Sequence, residues 1–144
     1  MTEAGRGLLL SLLIGPPVFA GLLWVMSRLS GWSRLAARYR RDDEVAGTRW
    51  TWMSVGFGPL VWYNHCITVT VTERGLALRP QPLMRLFHPS LLIPWAQVAS
   101  ARPWNQMLVR GVALRVEPEG VEVVFLRRVY ARIQAGFPER LRLV

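Results

Sequence analysis

Apolar positions along the chain follow two different rhythms. From Leu8 to Met26 they run almost unbroken, as LLLSLLIGPPVFAGLLWVM, and Ser11 carries the only hydroxyl. No polar face recurs at helical spacing, so the segment reads as a helix in an apolar medium rather than the core helix of a soluble domain. Its 19 residues rise roughly 28 Å as an α-helix, close to the thickness of a bilayer's hydrocarbon layer. Arg6 and Arg28 bracket the segment, and Trp24 stands where an interfacial aromatic belongs. A cleaved export signal fits poorly, because Ala20 and Gly21 lead straight into LLWVM and apolarity continues past the cut. Gly15 precedes Pro16 and Pro17, which remove two backbone donors and predict a kink near mid-span. The alternative geometry is a wedge that enters one leaflet and returns.

Next comes SGWSRLAARYRR. Trp32, Leu35, Ala36 and Tyr39 fall on one helical stripe, and Arg34, Arg38 and Arg41 fall on another. Ser30 is placed to cap the start, and Asp42, Asp43 and Glu44 close the basic run. An aromatic and arginine-rich amphipathic helix beside a membrane span has the composition of an interfacial helix on anionic lipid. Packing of the same stripe on the following domain is the compatible alternative. The expected membrane-interface residues are Trp24, Arg28, Trp32, Arg34, Arg38, Tyr39 and Arg41.

From Thr48 onward the helical period gives way to alternation. In HCITVTVT, Ile67, Val69 and Val71 share a face opposite Cys66, Thr68, Thr70 and Thr72. Glu73-Arg74-Gly75 predicts a turn with Gly75 in a left-handed conformation, and GLALRP returns as the partner strand. A second hairpin joins Val112, Leu114 and Val116 to Val121, Val123 and Phe125 through Glu117-Pro118-Glu119-Gly120. TRWTWMSV supplies a first strand, with Trp50 and Trp52 opposite Met53 and Val55. SLLIPW and QVASARPW supply two short middle ones, while GFGPLVWYN reads as a loop. RRVYARIQAG predicts a short closing helix through Val129, Tyr130, Ile133 and Phe137, stopped by Gly136 and Pro138.

ITVTVTERGLAL, LLIPWAQVASARPW and VALRVEPEGVEVVFL together resemble the membrane-anchored bacterial PH-like, or GRAM-type, domains over roughly residues 48 to 137. That resemblance implies a mainly β fold: a bent antiparallel sheet of six to seven strands capped by a C-terminal helix. It implies a recognition module of undefined function, not a reaction. Phosphoinositide-binding PH domains carry basic residues in the loop between the first two strands, and GFGPLVWYN has none. The expected organisation is an anchor over 1–28, a juxtamembrane helix and linker over 29–47, and a PH-like domain over 48–144.

Charge adds orientation. The net charge is +9, and all 18 basic residues are arginine. Arg6 before the span is opposed by Glu3, whereas Arg28, Arg34, Arg38, Arg40 and Arg41 follow it. The positive-inside rule therefore expects the N-terminus outside and the sheet domain in the cytoplasm, at the inner membrane. Residues 45–144 alone hold 12 arginines against 5 acids, which expects attraction to anionic lipid, although scattered arginines on an anchored chain make nucleic acid an unfavourable partner.

Candidate chemistry is sparse. Cys66 is the single cysteine, and its neighbour His65 points to the opposite face of a strand, so only a distant His88 could serve it as a base. Glu117, Glu119 and Glu122 cluster at a hairpin tip, where solvated charge is the ordinary reading. No metal-ligand or phosphate-loop spacing occurs, and no cofactor is expected. In RPQPLMRLFHPS, Arg79, Leu83, Met84, Arg85, Leu86, Phe87 and His88 interleave apolar and basic side chains on a proline-rich connection. This segment is the expected contact for a protein partner or for lipid headgroups. The expected function is a non-catalytic, membrane-tethered module for protein interaction, with recognition of anionic lipid as the alternative.

Overall fold

The structure is a computed structural model that describes residues 2–143; Met1 and Val144, the ends of the expected anchor and sheet domain, lie outside the described residues. Helix α1 spans Glu3–Ser30, with Thr2 Oγ1 accepting from Gly5 N at its start. It runs unbroken through Pro16 and Pro17. Nearly all of its apolar side chains are open until its last turns, where Leu23, Ser27 and Ser30 become buried. It is the one helix among the described residues long and apolar enough to cross a membrane.

Gly31 (φ 87°) ends α1, and α2 follows at Trp32–Tyr39. A side chain at position 31 would be strained by that backbone and would meet Val121 Cγ2 at 2.8 Å, so only glycine permits the tight reversal. Ser30 Oγ accepts from Trp32 N at 3.1 Å, which ties the expected capping residue to the first turn of α2.

Seven strands follow: β1 Thr48–Phe57, β2 Val61–Val71, β3 Gly75–Pro80, β4 Leu91–Pro94, β5 Val98–Gln106, β6 Val109–Val116 and β7 Val121–Leu126. Helix α3, Arg127–Ile133, and two short turns end the chain. The strands form one antiparallel sheet in the order β4-β3-β2-β1-β7-β6-β5, curled into a half-barrel. Strand β1 joins the halves. It pairs with β2 from Thr48 to Phe57, but with β7 only through Gly56 and Phe57. Register shifts flank Met53, and Trp52 (φ 56°) and His65 (φ 53°) take left-handed backbones on the two paired strands. Such bulges bend and twist a sheet locally. They also break the expected alternation, because Ser54, Gly56 and Phe57 are buried along with Met53 and Val55.

Two expectations change here. VWYN is not loop but the start of β2; the β1–β2 connection is only Gly58-Pro59-Leu60. Gly75 is not left-handed. It is required because a Cβ there would lie 2.1 Å from Ile93 O, across the β3–β4 pairing. Thr72 Oγ1 shapes that turn instead, accepting from Arg74 N at 3.1 Å and Gly75 N at 2.9 Å.

The hollow of the half-barrel holds Val55, Phe57, Ile67, Val69, Leu76, Leu78, Leu114, Val123 and Phe125. Helix α3 closes one side with Tyr130 and Ile133, and Phe137 packs its ring 4.8 Å from Trp95 and 5.3 Å from Tyr130. Arg140 fastens the tail by donating to Val98 O at 2.7 Å and Trp95 O at 2.6 Å.

Candidate functional site

The features that distinguish this chain gather where α1 meets the sheet. Trp32 is 0 % exposed, its indole Nε1 donating to Pro89 O at 2.9 Å. Its ring lies 5.1 Å from Phe57, 5.5 Å from Tyr63 and 5.4 Å from His88. Leu35 and Tyr39 follow it into the core. The apolar stripe of α2 therefore faces protein, which corrects the placing of Trp32 and Tyr39 at the lipid interface. An aromatic stripe fits either apolar surface, and here the open edge of the half-barrel lies within reach.

The other interface residues stay outside. Trp24 is exposed near the end of α1, with the Arg28 guanidinium 5.4 Å from its ring centroid. Arg34 Nη1 donates to Glu119 O at 3.1 Å, and Arg38 Nη1 lies 3.4 Å from Glu119 Oε1. The Tyr39 hydroxyl donates within the same group, 3.1 Å from Glu119 Oε2 and 3.3 Å from Glu117 O. The phenol's pKa is raised, first by burial and then by the Glu119 carboxylate. Glutamates at the β6–β7 turn thus clamp α2. Arg41 is half-buried, and its N donates to Ser90 O at 2.8 Å.

The connection between β3 and β4 lies against the last turns of α1, where Ser27 Oγ donates to Phe87 O at 2.8 Å. Leu83 (79 % exposed), Leu86 and Phe87 project outward, and Arg85 is exposed with its Nε donating to Pro80 O at 3.2 Å. Met84 packs on the core, and Arg79 pairs with Glu44. His88 is the exception. It is 0 % exposed, so it cannot touch a partner or a headgroup, and its assignment as a contact is corrected.

His88 instead links helix to sheet. Its Nδ1 is 3.1 Å from Leu86 O, which can only accept, so Nδ1 carries the proton and Nε2 accepts from the Tyr63 hydroxyl at 2.8 Å. That hydroxyl is also 3.0 Å from Ser30 Oγ, at the end of α1. Burial pushes the Tyr63 phenol up to about 12 and holds the His88 imidazole below its ordinary 6.5. Both ring nitrogens are engaged, leaving neither for Cys66, whose thiol burial pushes up. The Cys66–His88 pairing weighed from the sequence has no free imidazole nitrogen to use. No group of three or more histidine, cysteine or acidic side chains is placed to hold a metal among the described residues.

A further apolar surface lies away from these residues. Strands β5 and β6 form a long hairpin whose tip carries Met107 (97 % exposed) and Leu108 (98 % exposed). Trp104 on β5 packs against Trp62 of β2 with centroids 5.7 Å apart, and Gln106 Nε2 donates to Pro59 O at 3.4 Å. The hairpin therefore leans toward the β1–β2 turn, where Leu60 is also exposed. An apolar pair inside polar NQMLVRG was the available signal. The chain matches no protein-family model, no curated protein and no solved structure.

Proposed function

We propose that the chain is a membrane-tethered PH-like module held at the cytoplasmic face of the inner membrane, its N-terminus outside, and that it recognises a protein partner there without catalysing a reaction. The observation that carries this reading is the junction: the last turns of α1 and the whole inner face of α2 are built into the sheet's core through Trp32, Ser30, Tyr63 and His88. A chain that needed only an anchor would do as well with a flexible linker. A fused helix and sheet fix which surfaces the domain turns toward the bilayer and which toward its surroundings. A curled antiparallel sheet of seven strands followed by a short terminal helix supports this reading, which expects a bent sheet capped at one end.

Protein recognition is favoured by the Met107–Leu108 tip, where two large apolar side chains stand free at the end of a hairpin, the kind of exposed apolar surface that marks an interaction site. Anionic lipid is the second reading, with the basic sheet domain as its receptor, favoured by the 12 arginines against 5 acids over residues 45–144. A photo-crosslinking residue at position 108 of the full chain, activated in native membranes, is expected to capture one discrete protein. Adducts to lipid alone would move the assignment to the second reading, and no adduct of either kind would overturn the tip's role.

A further inference from the structure

After α2, the chain forms a bridge from Arg40 to Leu91 at the β4 edge and then returns to β1 across the outer face of the sheet. This strap covers a cleft of about 230 Å³, whose walls include Arg41, Arg49, Arg79, Arg85, Thr68 and Thr70. Strand pairing explains the grouping. Arg49 on β1 is opposite Thr70 on β2, and Arg79 on β3 is opposite Thr68, so two guanidiniums flank a pair of hydroxyls on one face. The strap also brings Asp43 and Glu44 to the cleft, but of these only Glu44 pairs, donating nothing and accepting from Arg79 Nη1 at 3.2 Å. Arg79 Nε is buried and has no partner among the described residues. A buried guanidinium donor left unpaired is costly, and the group that satisfies it best is an oxygen-bearing anion with a fork of acceptors.

We propose that this cleft binds a phosphate group, with Arg79 and Arg49 as its charged grips, Thr68 and Thr70 as neutral donors, and Glu44 as an internal competitor for Arg79. The phosphate could be free in solution or belong to a lipid headgroup; the chemistry recognised is the same. The competitor gives the proposal a signature that a merely structural ion pair lacks: removing it frees Arg79 for the anion.

The test is thermal unfolding of the full chain in neutral detergent, with inorganic phosphate titrated at constant ionic strength. A parallel arm uses nanodiscs of phosphatidylcholine with and without phosphatidic acid. Phosphate is expected to raise Tm in a saturable way, Arg79→Gln to abolish the rise, and Glu44→Gln to lower the half-saturating concentration several-fold. Stabilisation by phosphatidic acid but not by free phosphate would assign the phosphate to a lipid; the converse would assign it to a soluble ion. The proposal is overturned if neither arm stabilises the wild type, or if both variants respond as the wild type does. Glu44 is exposed on the strap, so its variant carries the test even if Arg79→Gln fails to fold.

Discussion

His88 and Trp32 are single residues on which the joint between helix and sheet depends. His88 is buried as the neutral imidazole, with its pKa below the ordinary 6.5 because burial penalises the charged form. Below 6.5 the unfolded chain takes up a proton that the folded chain does not, so stability declines as pH falls from there toward the folded pKa. Tm of the full chain in detergent is expected to drop more between neutral pH and mild acid in the wild type than in His88→Gln, which has no imidazole to titrate. Equal drops would remove His88 from the joint. Trp32→Ala opens a cavity between Phe57, Tyr63 and His88 and is expected to cost about 3–5 kcal/mol in denaturant unfolding. A loss within about 0.5 kcal/mol, the scale of ordinary surface changes, would mean that the stripe of α2 is not in the core.

Among the elements, α2 and the β5–β6 hairpin make opposite use of their apolar residues. The stripe of α2 is satisfied by the sheet, whereas Met107 and Leu108 have no covering in the chain. Replacing Leu108 by Asp is therefore expected to change folding stability by no more than about 0.5 kcal/mol while abolishing capture of a neighbouring protein in membranes. Retained capture would place the contact elsewhere. Substituting Arg34, Arg38 and Arg41 by Glu removes three of the five arginines that follow the span and sets new acids against Glu119, so reporters fused to each terminus are expected to show inverted or mixed orientation. A single unchanged orientation would contradict the charge argument.

The same elements show what the sequence could tell. Ile67, Val69 and Val71 were legible because β2 is paired on both sides and one of its faces is buried, which leaves a clean period of two. The stripe of α2 was equally legible, but its partner was not, since lipid and a protein core accept the same side chains. The bulges at Trp52 and His65 erase alternation, and nothing local announces them. The burial of His88 depends on Tyr63 and Ser30, 25 and 33 positions apart from their partners along the chain, so only the fold brings that network together.

At the scale of the molecule, α1 and the sheet are one object. The helix is long enough to cross a bilayer and its final turns are locked into the half-barrel, so the orientation of the helix dictates that of the domain. Arg28, Trp24 and the exposed Leu83, Leu86 and Phe87 all lie near the helix exit, as expected of groups at the boundary between apolar and polar media. The proposed tether requires α1 to cross the bilayer. The most direct measurement is protease accessibility of the full chain in sealed cells stripped of any outer envelope, with an alkaline carbonate wash of the membranes. The sheet domain is expected to stay in the washed membranes and to resist external protease until the membrane is permeabilised. Release of the intact chain by carbonate, or digestion of the sheet from outside sealed cells, would contradict the account.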